Sequence, residues 1–298
     1  MKLALHSVSY LGVWPGQHRL TVDEFIAKAA ALGYGAVEFA AKRPHVSPLD
    51  YREADLQRLK RSCGDLGLDI VCLASYNDFS AGGDAPDMAH QQKELVYLRA
   101  ALEMAAALGA PVVRVYTGYC HPQPSFWQQW RWVSDCIREA AGWAAELGVK
   151  IGVQNHSTMA CHHEALVALM AEIGNDAVGI VLDAPTMHLQ GESISDAVSA
   201  CAGQIVHTHL SDFRSVQHYT YDPTFVVYNA EDPVNLATPI GGGDVDYATF
   251  LPALKATGYD AALSYEMCSP LLGGGSEENL DATARRTLEY VRRVWDAA

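Results

Sequence analysis

Short apolar runs alternate along the chain with longer amphipathic stretches. Eight runs have the length and the β-branched composition of strands: 3–10, 35–40, 69–75, 111–118, 150–157, 178–184, 205–212 and 261–268. Helical patterns follow them over 21–33, 49–67, 88–109, 125–148, 162–174, 194–203, 246–258 and 279–295. Strands that are apolar almost throughout predict a parallel sheet covered by helices. Eight such units predict an α/β fold in which the sheet closes into a (β/α)8 barrel.

Local signals at the helix ends agree with this pattern. Thr21, with Glu24 three residues later, forms a capping box, and the ending A-x-L-G recurs at 30–33, 106–109 and 145–148. An open doubly wound sheet is the alternative, but SVSYLGVWPG after the first strand lacks the G-x-G-x-x-G pattern of dinucleotide-binding proteins. No linker interrupts the chain, so we expect one barrel domain over 1–298.

Composition and charge exclude several classes of protein. Of the 298 residues 49% are hydrophobic and 19% are charged, which predicts a folded globular protein. A net charge of −14 argues against a nucleic-acid partner and against an anionic membrane surface. No signal-peptide pattern opens the chain and no apolar stretch is long enough to span a bilayer. Seven cysteines without a C-x-x-C motif predict reduced thiols, so we expect a cytoplasmic protein.

Polar side chains end the last four predicted strands, where a core position would normally be apolar. They are Gln154, Asn155 and His156 on the fifth strand, Asp183 on the sixth, His207 and His209 on the seventh, and Glu266 on the eighth. Each alone has an ordinary interpretation: a hydrogen-bonded core histidine, a helix N-cap or an ion-pair partner. Together, at the barrel end that carries active sites, an amide, an imidazole and two carboxylates predict a site for one divalent metal.

The motifs VQNHS, VLDAPTMHL, HTHLSD and LSYE, with AVEFA on the second strand and PIGGGDVDYATFLPAL before the last, resemble the xylose isomerase-like barrel superfamily. That superfamily holds sugar isomerases and epimerases, inosose dehydratase and, more distantly, endonuclease IV. The resemblance implies a metal site with Asp183, His209 and Glu266 as ligands, occupied by Mn²⁺ first of all, or by Mg²⁺, Co²⁺ or Zn²⁺. No histidine ends the third or fourth strand, which argues against the zinc cluster of the endonuclease.

The chain departs from this resemblance at the first ligand, where Gln154 replaces a glutamate. Its amide oxygen can still coordinate a hard cation, but Gln cannot accept or donate a proton in catalysis. The epimerases of the superfamily resemble two-base enzymes, so only Glu266 remains of the pair. His156 lies two residues along the same strand face, and we predict that it is the second proton carrier.

Further residues are candidates for substrate contact. His188 and Arg214 lie near the positions that the resemblance assigns to a substrate-binding histidine and arginine, and His207 shares a strand face with His209. Among many loop aromatics, Trp14 and Tyr116 are the predicted sugar-stacking residues. The segment 213–240 is long for a loop of a barrel, so we expect it to be a lid or an oligomer contact.

These observations predict a metal-dependent isomerase or epimerase of a ketose or keto-polyol that acts through an enediolate, with Glu266 and His156 as catalytic residues. A lyase of the inosose dehydratase type, acting on a keto-sugar or keto-glycoside, is the second hypothesis because only one base remains. A sugar-binding barrel without activity is the third. The expected partner is a small carbohydrate, and a homo-oligomer is compatible with the sequence.

Overall fold

The computed structural model describes residues 1–85, 87–156 and 158–298. In this part of the chain eight parallel strands close a barrel in the order β1-β12-β7-β6-β5-β4-β3-β2. The barrel strands are β1 (Lys2–His6), β2 (Ala36–Ala40), β3 (Asp69–Ala74), β4 (Val112–Val115), β5 (Lys150–Gln154), β6 (Val178–Asp183), β7 (Ile205–Leu210) and β12 (Ala262–Tyr265). The predicted (β/α)8 barrel is therefore confirmed, and each barrel strand lies within a predicted run or extends past it by one residue.

Helices connect the strands and cover the outside of the barrel. Their bounds are α1 (Val22–Leu32), α2 (Glu53–Asp65), α3 (His90–Leu108), α4 (Phe126–Leu147), α5 (His163–Ile173), α6 (Ala184–Leu189), α7 (Ile194–Cys201), α8 (Tyr247–Ala256) and α9 (Glu277–Ala297). The capping box at Thr21 and Glu24 is present. Gly33, Gly109 and Gly148 end their helices in the left-handed conformation, which glycine adopts without a steric penalty. The A-x-L-G signal is confirmed.

The barrel interior is packed with side chains rather than open. Gly152 on β5 illustrates how tightly it is filled, because a Cβ there would lie 2.4 Å from a methyl group of Val181 on β6. Apolar side chains fill the barrel wall, whereas polar ones gather towards the carboxyl ends of the strands. The same barrel thus supplies a rigid base and a polar mouth.

The structure differs from the predicted elements in three places. A short helix, α6, directly follows the sixth barrel strand, where the sequence pattern predicts none. The first strand ends at His6, and Ser7–Tyr10 form a 3-10 helix instead of its continuation. The segment 213–240 is largely β-structure: β8 (Asp212–Val216) pairs antiparallel with β11 (Val234–Thr238), and β9 (Tyr219–Asp222) pairs with β10 (Val227–Ala230). Alternation of polar and apolar residues there is irregular, so local pattern did not reveal the pairing. Ser157, the last residue of the predicted fifth strand, lies outside the described residues.

We call β8–β11 (212–238) the ribbon. Asp212 anchors its base, since its carboxylate accepts hydrogen bonds from the backbone N–H groups of Gly241, Gly243 and Val245 at 2.9–3.1 Å. A Cβ on Gly243 would lie 2.2 Å from that carboxylate, which explains why glycine is required in the turn. The far end of the ribbon is apolar and exposed at Phe225 and Val226.

A search of the helices in the described residues finds none with the length and apolar character that crossing a membrane requires.

The neutral imidazole of His45 is built into the loop after β2. His45 is 1% exposed, its Nε2 lies 3.0 Å from the carbonyl oxygen of Leu20, and burial lowers its pKa to about 4. The unfolded chain therefore binds a proton between pH ~6.5 and about 4 that the folded chain does not. Stability from this residue is present above pH ~6.5 and is lost as the pH falls.

We expect His45→Gln to flatten the decline in unfolding free energy between pH 7 and pH 4 by about 3 kcal/mol, since glutamine can donate to Leu20 but does not titrate. Urea unfolding at several pH values measures the difference. Leu49→Gln, on the same loop at a position 69% exposed, is the control and should keep the wild-type pH dependence. Parallel curves for wild type and His45→Gln would contradict the prediction.

Candidate functional site

A buried carboxylate joins several imidazoles at the centre of the barrel mouth. Glu38 on β2 accepts hydrogen bonds from His207 Nε2 at 3.0 Å and from His209 Nε2 at 2.9 Å. His6 Nε2 on β1 lies 3.6 Å from the same carboxylate, and all these side chains are at most 1% exposed. Burial would raise the pKa of Glu38, but the three imidazoles hold it well below its usual range. Glu38 is therefore an anion that orients the ring of His209.

The orientation of His209 determines which of its nitrogens is available. A carboxylate only accepts, so the nitrogen facing Glu38, Nε2, carries the hydrogen. The other nitrogen, Nδ1, is buried without a hydrogen-bond partner in the described chain and lies 3.4 Å from Oε1 of Glu266. Burial alone would lower the pKa of His209, but Glu266 and Glu38 on its two sides raise it to about 10, so Nδ1 can coordinate a cation only after the cation displaces its proton.

Asp183 at the end of β6 is held by hydrogen bonds from side chains at the end of β5 and on α6. Its Oδ2 accepts from Gln154 Nε2 at 2.8 Å and from the Thr186 hydroxyl at 3.2 Å, and Asn155 bonds its backbone N–H and carbonyl. Burial, reinforced by the charge of Glu266, raises the pKa of Asp183. Oδ1 of Asp183 and Oε1 of Gln154 are both buried and lack a partner among the described residues. Two oxygen atoms are therefore left available at this end of β5 and β6.

The remaining predicted ligand, Glu266, follows β12 and is 6% exposed. Burial would raise its pKa, but His209 outweighs this effect and the pKa of Glu266 lies below its ordinary value. Three side chains are more tightly gathered: ligand atoms of His6, Glu38 and His209 lie within 4.8 Å of one another. By that same distance measure the described residues Asp183, His209 and Glu266 do not form such a group. Within this set His209 Nδ1 and Glu266 Oε1 are 3.4 Å apart, so Asp183 is the member that lies farther from the other two.

The opposite side of the mouth is lined by cations and aromatic rings, which we call the cationic wall: Lys42, Tyr76, Arg114, Tyr116 and His156. Lys42 Nζ lies 3.7 Å from the ring centroid of Tyr76. The guanidinium carbon of Arg114 lies 4.7 Å from that centroid and 4.0 Å from that of Tyr116. The ring of His156 packs against Tyr116 with a centroid separation of 4.7 Å, and burial lowers the pKa of His156 to about 4.

Two predicted substrate contacts lie in or beside this mouth. Tyr116 is part of the cationic wall. Trp14 is partly buried and packs, as Tyr76 does, against the small cluster formed by Val8 and neighbouring apolar residues.

The other three predicted contacts each touch another part of the protein. His207 faces Glu38 deeper in the barrel and also lines a cavity of about 340 Å³ at its amino-terminal end. His188 on α6 packs its ring against Phe213 at 5.8 Å. Arg214 lies exposed on the ribbon and donates to the carbonyl of Gly242 at 2.9 Å. The structure therefore gives each of these three residues a protein partner of its own.

The sequence pattern predicted no role for Glu38 or for Arg114. Both interrupt apolar strands, AVEFA and VVRV, and both are completely buried. A charge that stands inside a barrel strand is expensive unless it is paired, which is the signal that would have found them. Their hydrogen-bond partners lie at least 39 residues away along the chain, so they could not be identified from local sequence.

Comparison with known proteins places this geometry in context. Fructoselysine 3-epimerase of Escherichia coli O157:H7 is 19% identical over 214 residues, which cover 68% of this chain and 77% of the relative. A crystal structure of D-psicose 3-epimerase with D-fructose superposes with a TM-score of 0.76 at 19% identity, covering 99% of both chains. The 3-keto-D-glucoside 4-epimerase of E. coli gives a TM-score of 0.72 at 16% identity, covering 98% of this chain and 99% of that one.

The two structural likenesses, at these identities, show a shared fold. The family assignment comes from the sequence model described as xylose isomerase-like TIM barrel, which matches residues 26–294. The chain belongs to the xylose isomerase-like TIM barrel family.

Proposed function

We propose that this protein is a divalent-metal-dependent epimerase or isomerase of a ketose or keto-polyol. One observation carries the proposal: Oε1 of Gln154, Oδ1 of Asp183 and Nδ1 of His209 are all buried without a hydrogen-bond partner in the described chain. A buried polar atom left unpaired costs about 1–3 kcal/mol, so three on neighbouring strands favour a ligand that binds all of them. Family membership and the likeness to sugar epimerases support a carbohydrate as the substrate class.

The donor set fits a divalent cation. Gln154, Asp183 and Glu266 offer oxygen and His209 offers an imidazole nitrogen, which is a combination that Mn²⁺, Mg²⁺, Co²⁺ and Zn²⁺ accept. Mn²⁺ is our first choice. Such an ion, when bound, polarises a substrate carbonyl and acidifies the neighbouring C–H.

The chain's own residues would move the proton. Glu266, ionised beside His209, would remove the hydrogen from the carbon next to the ketone, leaving an enediolate. His156, a neutral imidazole on the cationic wall, would relay a proton from solvent to the other face of that carbon, accepting one proton as it gives up another, which inverts the configuration of the carbon. Gln154 donates to Asp183 and keeps its oxygen towards the mouth, so its role would be coordination rather than proton transfer.

A panel of ketoses, inososes and keto-glycosides incubated with Mn²⁺ in D₂O tests the reaction class. We expect deuterium to enter recovered substrate and its epimer next to the ketone. Asp183→Asn is the control, because it removes a ligand charge while keeping a similar shape, and it should lose the exchange. Elimination of a leaving group would instead establish the lyase, and binding of sugar without exchange would establish the sugar-binding barrel.

The roles of Gln154 and His156 are tested on one ketose that the wild type converts. We expect His156→Ala to abolish deuterium exchange on one face of the substrate while Mn²⁺ binding persists. Gln154→Glu adds a charge next to Asp183, so it should tighten Mn²⁺ binding and leave turnover level or lower. Equal deuterium incorporation by the wild type and both variants would show that neither residue lies near the reacting carbon. New epimerase activity in Gln154→Glu, with less elimination, would favour the lyase.

Glu38 is expected to act as a positioning residue for His209. Glu38→Gln leaves one acceptor oxygen for two imidazoles, so the ring of His209 loses its fixed orientation and Mn²⁺ affinity should fall about 10–100-fold. Titration calorimetry with Mn²⁺ measures this without any substrate. Glu103→Gln, the same change at an exposed position on α3, is the matched control and should keep the wild-type affinity. Unchanged affinity in folded Glu38→Gln protein would rule out this role.

A further inference from the structure

Arg114 is a buried cation whose donors are only partly used. Its side chain is 0% exposed on β4, and Nη1 donates to the carbonyl oxygen of Ser75 at 2.8 Å. Nε and Nη2 are buried and have no hydrogen-bond partner in the described residues. The guanidinium remains charged at any relevant pH, and an unpaired buried charge is costly. The two unused N–H groups therefore point to a ligand.

The unused donors share one edge of the guanidinium. Nε–H and one N–H of Nη2 run parallel, and the exposed pair of Arg43 with Asp50 shows the same edge binding both oxygens of a carboxylate at 2.7 and 2.6 Å. At Arg114 no carboxylate oxygen of the described residues lies within the 4.0 Å of an ion pair, although Glu266 and Glu38 are near enough to raise its pKa. The edge is formed, and no protein acid in the described chain fills it.

Two tyrosines hold this edge in place. The rings of Tyr116 and Tyr76 pack against the guanidinium at 4.0 and 4.7 Å. Burial raises the pKa of the Tyr76 hydroxyl and the guanidinium opposes that rise, yet no contact between Tyr76 and Nε or Nη2 meets hydrogen-bond geometry. The aromatic contacts fix the plane of the cation and leave its donor edge free.

A second cation stands beside the first. Lys42 Nζ lies 3.7 Å from the ring centroid of Tyr76, and burial together with the charge of Arg114 lowers the pKa of Lys42. Two like charges that share one ring repel each other, and an anion between them relieves the repulsion. Gln154 on the next strand is neutral, and the carboxylate of Glu38 on β2 already binds His207 and His209, so neither residue supplies that anion.

We propose that the substrate is a sugar acid whose carboxylate is bound by the Nε–Nη2 edge of Arg114, with Lys42 as the second cation. The inference rests on the proposed function and specifies its substrate class. Two parallel N–H donors match the two oxygens of a planar carboxylate. The carboxylate then lies on the cationic wall, and the keto end of the sugar faces Asp183, His209 and Glu266. A phosphate shares the oxyanion chemistry and enters the test as a separate arm.

D-fructuronate and D-fructose form a matched pair, because they differ only in a carboxylate or a hydroxymethyl group at carbon 6. Titration calorimetry on the Mn²⁺-loaded full chain should show D-fructuronate bound at least about tenfold more tightly than D-fructose. D-fructose 6-phosphate should bind more weakly than D-fructuronate. Tighter binding of the phosphate ester, or equal binding of the acid and the neutral ketose, would overturn the proposal.

Substitutions of Arg114 and Lys42 test whether these two cations bind the carboxylate. Arg114→Gln should reduce D-fructuronate binding to the level of D-fructose, and Lys42→Gln should weaken it several-fold. Lys93→Gln removes the same charge from the exposed face of α3 and is the control, which should keep the preference for the acid. Since Arg114 is fully buried, Lys42→Gln serves if Arg114→Gln does not fold. A preference for the acid that survives in the folded variants would overturn the assignment.

The test separates this inference from the proposed function. Deuterium exchange on D-fructose without any preference for the acid would refute the carboxylate site and leave the epimerase intact. Selective binding of D-fructuronate without exchange on any ketose would support the carboxylate site and refute the epimerase.

Discussion

The hydrogen bonds from His207 and His209 to the buried carboxylate of Glu38 are the interaction on which the rest of the barrel mouth depends. A charge at this depth is stable only because two imidazoles donate to it and a third lies 3.6 Å away. In return it fixes the direction of the His209 ring, and the positive charge of His209 keeps Glu266 ionised. The protonation states at the mouth therefore depend on Glu38, a buried residue that would act on a substrate only through His209.

A second feature of the mouth is the separation of its charges. Apart from Glu38 on β2, whose charge is bound by imidazoles, the carboxylates Asp183 and Glu266 follow β6 and β12, whereas Lys42 follows β2 and Arg114 lies within β4. Closed parallel strands bring all their carboxyl ends to one opening, so residues far apart in the chain face each other across it. A charged or polar ligand therefore experiences an electrostatic field with a definite direction before any specific contact is made.

The barrel strands and several polar residues at their ends could be predicted from sequence, because each depends on the order of apolar and polar residues within a short segment. The apolar runs and the helix-ending glycines identified the eight barrel strands, and polar residues at strand ends marked Gln154, Asp183, His209 and Glu266. Partnerships could not be predicted in this way. Glu38 and His209 are 171 residues apart and meet only because of strand register around the closed barrel. The ribbon was also missed, because its pairings join short, exposed strands across irregular turns.

The attachment of the ribbon has a consequence for how the protein can change. Asp212 ties the base of the ribbon to the turn that contains Gly241 and Gly243, and β8 pairs with β11 above it. The β9–β10 hairpin beyond that base pairs only with itself in the described sheets. Insertions, deletions or whole replacements of the hairpin would consequently leave the register of β7, which ends two residues before Asp212, undisturbed. The β9–β10 hairpin is thus a unit whose length and surface can change without altering the position of His209.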